Sequence, residues 1–587
     1  MATGEGLRVW RGRRHTSLAN LARIDLGIAA GSLVALLGYV ALFLVLHLRS
    51  VGWAPGQVLE PLAQYWEWFY RAIVSEERVM ASRRSRVVAL HPWLLVGILA
   101  ALAFSYIYLL RRWRGLPHTR QPGPYAVLAL ALLFSLPLLA LPNLFSGDVY
   151  SNISFGRIGA VLGGNPFTDP PQAFPADPYT RWVDWKDVPS VYGPAWIYPS
   201  MLLTIVVEAI HPTIVTYVLA YKLLALALHL VNGLLIAHIL ARWRPVQRNW
   251  GVALYVLNPL ALIEFAGNAH NDVLMISFIL AGLLFHLRGQ WTWAIAAFTL
   301  AVLTKWIALP LLPLYGLVLL WSTSGWKQRL HYTLGSLAIF LGLTVGLYLP
   351  YWEGAATFEV LAEAPPQQRL INSFGQLAAN EIQYGMYLLG RWPQPALEQW
   401  TPLAPRTPRS VDTRTRDPLD WRETQRIRLQ RDNQIMQAER VTLLRQQLRL
   451  ENIIRYLGLA VLMAVCIAGA LVTRNFRAML LATAWIFFVY ITLAAMWVWP
   501  WYITWFVALA ALLDWQNTGR TAVILSACAP ITYAFFSGLP VPPAPERFRV
   551  IWMFGPALLF VAYRLGVVIR ARRQAKARND GMMPLPS

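Results

Sequence analysis

The chain has 587 residues, of which 57% are hydrophobic, and its formal net charge is +22. Apolar runs long enough to span a membrane recur along the whole sequence, which excludes a soluble protein and predicts an all-α polytopic membrane protein. Most Lys and Arg residues cluster in short segments between these runs, where they orient helices and meet anionic lipid, so the charge does not indicate nucleic-acid binding. The two cysteines, Cys466 and Cys528, lie inside apolar runs and predict neither disulfides nor a metal site.

Fourteen apolar runs are predicted to cross the membrane. They cover residues 26–48, 92–110, 124–143, 213–241, 251–266, 271–287, 291–304, 306–322, 332–351, 453–472, 477–497, 499–514, 520–537 and 548–570. The run 197–210 is short and contains Pro199 and Glu208, so it is predicted to be interfacial or re-entrant. Whether 197–210 and 372–390 cross is the open point of this topology.

With this topology the basic segments share one side of the membrane, which the positive-inside rule makes cytoplasmic. The segments are 111–120, 242–248, 326–331, 473–477 and 570–578. The chain then divides into six parts: a basic tail with three spans (1–143), an external catalytic loop with an interfacial helix (144–211), central spans (212–351), an external loop with a basic helical insert (352–452), C-terminal spans (453–570) and a cytoplasmic basic tail (571–587). Polar and aromatic residues concentrate on the external side, which predicts an active site there.

The first external loop carries a carboxylate where a membrane helix meets water. Asp148 lies in the polar stretch 145–167, directly after an apolar run, and helical spacing puts Asn152, Gly159 and Gly163 on its face. A carboxylate in this position suits a general base that acts on a substrate delivered by a lipid. The alternative is that Asp148 only caps the helix, since Asp is common at the N-cap.

The rest of this loop is rich in aromatic and amide side chains. Rings stack on sugar faces and amides bind hydroxyl groups, so the loop resembles a sugar-binding surface. The candidates for substrate contact are Asn152, Asn165, Tyr192 and Trp196. For any single tryptophan, a place in the aromatic belt at the membrane interface is the simpler explanation.

Four short motifs, taken in order, resemble a known family. They are DVYS (148–151), GNPF (164–167), YGPAW (192–196) and HNDVLM (270–275). Their combination over residues 120–510 is similar to bacterial polyprenol-phosphate-mannose-dependent α-mannosyltransferases, which belong to the GT-C class of membrane glycosyltransferases. The chain departs from the family at Phe167, where tyrosine is usual, and in its longer basic insert around 400–450. Both departures leave the acceptor open.

The resemblance implies a GT-C-type transmembrane helical bundle with long external loops, in which Asp148 is the catalytic acidic residue. It implies an inverting displacement that moves a sugar from a polyprenyl-phosphate donor to a glycolipid or polysaccharide acceptor, with mannose as the first candidate for the sugar. No cofactor is expected, and a divalent-cation requirement is left open. The rival hypothesis is a transporter or flippase of lipid-linked saccharides, which would place ionisable or broken-helix sites near mid-bilayer.

A lipid-linked donor needs groups for its phosphate, its sugar and its prenyl chain. The candidates for the phosphate are the cationic side chains His270, Lys305, Arg157 and Arg369. Further candidates for substrate binding are Asn271, Asp272 and Asn372, and those for a prenyl groove are Trp499, Trp501 and Tyr502. The alternatives are N-capping for Asn271 and Asp272, a snorkelling side chain for Lys305, and an interfacial aromatic turn for 499–502.

Overall fold

The structure is a computed structural model that describes residues 25–51, 92–117, 120–141, 144–363, 370–388, 438–536 and 545–579. Helices form the regular structure of these ranges, and the extended pairing found within them is one parallel bridge between Ile371 and Trp497. Many of the helices are long runs of apolar residues. The predicted all-α polytopic membrane protein is confirmed.

Within the described ranges, eight helices are long and apolar enough to cross a membrane, and one bent pair makes a ninth. The eight are Leu26–Leu46, Trp93–Gly115, Ile214–Trp243, Trp326–Tyr351, Leu450–Val472, Phe476–Ala494, Trp515–Phe536 and Arg547–Gln574. The bent pair is Pro245–Val256 and Pro259–Gly267, with 50° between its halves. Shorter apolar helices are Pro124–Leu139, Pro194–Ile210, Asp272–Leu287, Trp291–Thr304, Trp306–Trp321 and Pro500–Ala510. Each of the fourteen predicted spans falls on one of these helices.

Two predicted boundaries fall inside continuous helices. The boundary between the basic insert and the span at 453 lies within the helix Ala438–Val472. The last span and the basic tail likewise share the helix Pro545–Asn579. The segment 372–390 forms the helix Phe374–Leu388, which packs on both of these long helices and is not one of the apolar ones.

The catalytic loop begins with the helix Asp148–Ala160, here called the loop helix. It packs against the helix Pro194–Ile210, and a Cβ at Gly156 would lie 2.7 Å from the backbone oxygen of Ser200. Gly159 faces the Met201 side chain in the same interface, as its predicted helix face requires. Gly163 does not share that face, because the helix has ended and the residue has a φ of +68°.

The helix Ile214–Trp243 connects the catalytic loop to the basic segments. Its 30 residues span ~45 Å, which exceeds the ~30 Å hydrocarbon core of a bilayer. Near its beginning, Tyr217 packs against Tyr179 of the catalytic loop. At its end, Trp243 packs against Phe476, next to the basic segment 473–477. The loop and these basic residues therefore lie at opposite ends of a membrane-spanning helix.

Candidate active site

Asp148 is the first residue of the loop helix and is not its cap, because Gly147 occupies the N-cap position. The N-cap alternative for Asp148 is therefore wrong. Its side chain retains 24% of its accessible surface, whereas those of Glu264 and Asp272 retain none. Of these three neighbouring carboxylates, Asp148 is the one that a substrate can reach.

His270 lies between Asp148 and Glu264. Its Nδ1 is 3.8 Å from Asp148 Oδ2, and its Nε2 is 3.3 Å from Glu264 Oε2. The imidazole stacks on the Trp501 indole, with 3.9 Å between the ring centroids. Because both ring nitrogens face carboxylates and the residue is buried, His270 is better placed to act on Asp148 than to bind a phosphate directly.

The backbone before His270 has an uncommon conformation. Ala269 has a φ of 58°, a left-handed conformation that costs a non-glycine residue about 1–3 kcal/mol. The His270 backbone N–H then donates to the Glu264 carbonyl oxygen at 3.0 Å. This turn brings the imidazole back over the segment that carries Glu264.

Lys305 forms a second charged pair in the site. It follows the helix Trp291–Thr304, and its Nζ donates to Asp272 Oδ1 at 2.8 Å. The ammonium group also lies 4.7 Å from the ring centroid of Tyr502 and 5.7 Å from that of Tyr192. The side chain is 16% exposed and paired with a carboxylate, so it is not a snorkelling lysine. Nor is Asp272 a simple cap, since Asn271 occupies the N-cap position.

Burial and neighbouring charges shift the pKa of the Asp148 carboxyl in both directions. Burial raises the pKa of its carboxyl above the ordinary value, the charges of His270 and Lys305 lower it, and those of Asp184 and Asp272 raise it again, with a net increase. Burial, together with the carboxylates of Asp148 and Asp272, also holds the pKa of the Tyr192 hydroxyl well above its ordinary value. These couplings place Tyr192 in the same site as Asp148, His270, Asp272 and Lys305.

Arg157 has a structural role and is not a phosphate ligand in this structure. Its guanidinium donates to Asp177 at 2.7 Å and also binds Glu208 and the Tyr217 hydroxyl. It lies nine residues beyond Asp148 on the same helix, which is ~13 Å along the axis. The arginine joins the loop helix to two other segments, so we remove it from the phosphate candidates.

Three predicted substrate contacts are also occupied by the protein itself. The buried Trp196 Nε1 donates to Asn152 Oδ1 at 2.8 Å, so this pair connects the loop helix to Pro194–Ile210 and leaves no ring face open to a sugar. Asn165 Nδ2 donates to Glu353 Oε1 and to the Tyr351 carbonyl oxygen at 2.8 and 2.9 Å. All three residues support the loop, and Tyr192 is the remaining candidate from this group.

The other predicted residues divide into three cases. Asn372 is buried with a φ of 50°, and its Nδ2 donates to the Val498 carbonyl oxygen, so it supports the aromatic segment 497–502. Asn271 is buried at the site, and its Nδ2 has no hydrogen-bond partner among the described residues. Arg369 lies outside the described residues.

The predicted prenyl groove is a row of stacked rings next to the site. Trp501 stacks on Trp499 with 5.2 Å between centroids and 4° between planes, while its other neighbour is His270. Tyr502 faces Lys305 and stacks on Trp505. Trp499 is half-buried and also packs against Trp497 and Phe536.

Residues 35–321 match the family described as Alpha-(1->6)-mannopyranosyltransferase, N-terminal domain. This part of the chain, just under half of its length, is similar to that family. Alpha-(1->6)-mannopyranosyltransferase A of Corynebacterium glutamicum is 30% identical over 184 residues, which cover 30% of this chain and 36% of the relative. Alpha-(1->6)-mannopyranosyltransferase A of Mycobacterium tuberculosis is 29% identical over 219 residues, which cover 35% of this chain and 40% of the relative.

A probable alpha-(1->6)-mannopyranosyltransferase of Mycolicibacterium smegmatis is 31% identical over 164 residues, or 27% of this chain and 28% of the relative. The matches thus span less than half the length of these relatives. No solved structure matches the chain. The family range includes Asp148, His270, Asp272 and Lys305, whereas the aromatic row 499–502 lies beyond it.

Sequence reasoning missed several residues that complete the site. Glu264, Trp505 and Tyr533 lie inside predicted spans, and Asn268 lies in the short polar connection between two of them. An available signal was Glu264 itself, because an ionisable residue within an apolar run marks a functional site by default. The described residues contain no group of three or more His, Cys, Asp or Glu side chains placed to hold a metal ion.

Proposed function

We propose that the protein is a glycosyltransferase that moves mannose from a polyprenyl-phosphate donor to a hydroxyl of a glycolipid or polysaccharide acceptor. The observation that carries this proposal is the open carboxylate of Asp148, set among His270, Lys305 and Tyr192 within the family range. The site lies among the ends of apolar helices, where a lipid-anchored phosphate would present its sugar.

In the proposed reaction Asp148 removes the proton from the acceptor hydroxyl, while the oxygen of that hydroxyl attacks the anomeric carbon of the donor sugar. The bond from that carbon to the phosphate oxygen breaks, and the polyprenyl phosphate leaves with the bonding electrons. Lys305 stabilises the negative charge that develops on the leaving group, and an electrostatic contact of this kind acts most strongly in the transition state. A single displacement inverts the anomeric centre, so an α-linked product requires a β-linked donor.

Charge distribution supports an external active site in the cytoplasmic membrane. The helix Ile214–Trp243 separates the catalytic loop from basic residues near Trp243 and Phe476. Such residues favour the cytoplasmic side, so the opposite end, with the catalytic loop, faces outward. The bilayer is then a partner of the site, because it delivers the donor by its prenyl chain.

The test is transfer from labelled polyprenyl-phosphate mannose to a panel of α-mannosides by the purified full-length protein, with and without a chelator. Asp148→Asn should insert normally and lower transfer by about 10²-fold or more, the usual scale for a lost general base. Asp187→Asn, at a half-buried position of the same loop, is the matched control and should retain transfer. Transfer by Asp148→Asn at the wild-type rate would exclude this mechanism.

A transporter of lipid-linked saccharides would share the bent pair Pro245–Val256 and Pro259–Gly267 and the ionisable Glu264 inside it. At the bend, however, the polar groups of the Asn258 side chain are all hydrogen-bonded within the protein. Its Oδ1 accepts from the backbone N–H of Leu260 and Ala261, and its Nδ2 donates to Tyr106 and Ser526. A saturated amide offers no binding site at this break, which favours the transferase.

A further inference from the structure

Glu264 is a fully buried carboxylate behind the proposed base. It lies in the five-residue π-helix Ile263–Gly267, a rare irregularity that occurs often at functional sites. A charge in such a place is costly unless it is paired and hydrogen-bonded. The neighbours of Glu264 therefore indicate what it does.

The hydrogen bonds around Glu264 are donated by its neighbours. Asn268 Oδ1 accepts from the backbone N–H groups of Phe145 and Ser146 at 2.9 and 3.4 Å, and an N–H can only donate, so the amide orientation is fixed. Asn268 Nδ2 must then donate to Glu264 Oε2, at 2.8 Å. The Tyr533 hydroxyl donates to Oε1 at 2.6 Å. Both side-chain oxygens of Glu264 therefore accept hydrogen bonds, as those of a carboxylate do.

His270 connects this carboxylate to the base. A neutral imidazole has one donor and one acceptor nitrogen, whereas here both nitrogens face carboxylate oxygens. Neither contact is a hydrogen bond in the structure, because 3.8 Å is too long for one and Nε2 has no hydrogen-bond partner among the described residues. Both carboxylates nevertheless attract a positive charge on the ring. The groups that face the ring are Asp148 from the loop helix, Glu264 from the π-helix and the uncharged indole of Trp501.

We propose that Glu264 is a positioning residue that holds His270 as an imidazolium against Asp148. The inference rests on the proposed transferase function and deepens it. Glu264 does not touch the reacting atoms; the charge it maintains on His270 favours the ionised form of Asp148, and it is this form that can accept a proton. Through Asn268 the same carboxylate also anchors Phe145 and Ser146, directly before the loop helix.

The decisive test does not require catalysis. Nitrogen NMR of the histidine-labelled full-length protein in lipid nanodiscs, with His270→Gln to assign the signal, reports hydrogen on each ring nitrogen. In the wild type, both nitrogens of His270 should carry hydrogen at about pH 7, where an unperturbed histidine is mostly neutral. Glu264→Gln keeps the shape of the side chain and removes its charge. In this variant, the pH at which the His270 ring loses one of its two protons should fall by about one unit or more, which is a tenfold change in proton affinity.

A neutral His270 in the wild type at that pH, or an unchanged midpoint in Glu264→Gln, would overturn the proposal. Tyr533→Phe is the control, because it removes one donor to Glu264 but keeps the charge, so the His270 midpoint should stay near the wild-type value. If Glu264→Gln does not fold, the wild-type spectrum alone decides.

The transfer assay separates this inference from the proposed function. We expect Glu264→Gln to lower kcat by on the order of 10–100-fold, the scale for a carboxylate that orients a functional histidine, with little change in the donor KM. An active wild type with an equally active Glu264→Gln would contradict the inference alone. An inactive wild type would contradict the proposed function, and the NMR result would then judge Glu264 independently.

Discussion

Asp148 has to remain ionised although it is partly buried. Burial raises the pKa of its carboxyl, and the charges of His270 and Lys305 only partly reverse that increase. A general base must be deprotonated before it accepts the acceptor proton. Transfer should therefore be complete above the raised pKa and should be lost as the pH falls through it, at a higher pH than an ordinary aspartate with a pKa of about 3.9 would give.

Lys305 and Asp184 carry opposite charges near Asp148, so removing each should shift the acid side of the pH profile, its acid limb, in opposite directions. Lys305→Met removes a charge that lowers the Asp148 pKa, so the limb should move to higher pH, whereas Asp184→Asn removes one that raises the pKa and should move it to lower pH. Profiles of kcat/KM against pH for both variants measure the shifts. Asp187→Asn is the control and should move the limb less. Shifts of both variants in the same direction would contradict the assignment of the limb to Asp148.

Residue types in the sequence made Asp148, Lys305 and Tyr192 candidates for the site, and the structure brings these three together. The same reasoning misjudged side chains whose partners are distant in the chain. Trp196 and Asn152 both suit a sugar, yet they bind each other across two helices. Arg157 suits a phosphate, yet it pairs with Asp177 and Glu208. A sequence shows which groups can form hydrogen bonds, whereas helix packing decides which partners they meet.

At the scale of elements, the apolar runs predicted the helices well, because burial in a bilayer requires about 20 apolar residues and saturated backbone groups. The boundaries depended on local packing and were harder to predict. A hydrophobic pattern gives no strong signal for three of these local features. They are the break at Asn258, the π-helix Ile263–Gly267 and the continuous helix Ala438–Val472.

Gly193 connects the catalytic loop to the helix Trp291–Thr304. A Cβ at this position would overlap the backbone carbonyl of Leu303, and Gly193 N donates to the Thr304 carbonyl oxygen at 3.3 Å. Gly193→Ala should push the loop away from Lys305, displace Tyr192, and destabilise the protein by about 1–3 kcal/mol, the usual cost of overpacking. Thermal unfolding in detergent and the transfer rate measure both effects.

Gly316→Ala is the matched control for that substitution. No heavy atom lies within 4 Å of a Cβ at Gly316, which is inside the helix Leu311–Trp321, so alanine should be neutral or slightly stabilising there. An unchanged melting temperature and rate in Gly193→Ala would show that the loop does not depend on this close approach.

At the scale of the whole molecule, polar chemistry and basic charge are separated along the helices. One cavity of about 420 Å³ lies where three basic or polar connections between helices meet. Its lining includes Arg114, Val246, Gln247 and Trp515. The catalytic loop packs near the other end of Ile214–Trp243 through Tyr179 and Tyr217, and Val273, next to Asp272, accepts a hydrogen bond from Asn232 nearer the middle of this helix. The sequence predicted this separation because basic residues and apolar lengths are both visible in it, whereas the assembly of Asp148 with His270, Lys305 and Trp501 required the folded chain.

Sidedness follows from that separation and can be measured in intact cells. In a background with Cys466 and Cys528 replaced by alanine, Ala173→Cys lies exposed in the catalytic loop and Val246→Cys lies exposed in a basic connection. Because basic connections stay in the cytoplasm, a membrane-impermeant thiol reagent should label Ala173→Cys and not Val246→Cys, while permeabilised cells should show both. The reverse pattern would place Asp148 in the cytoplasm, where an acceptor of the cell surface could not reach it, so the external reaction depends on this result.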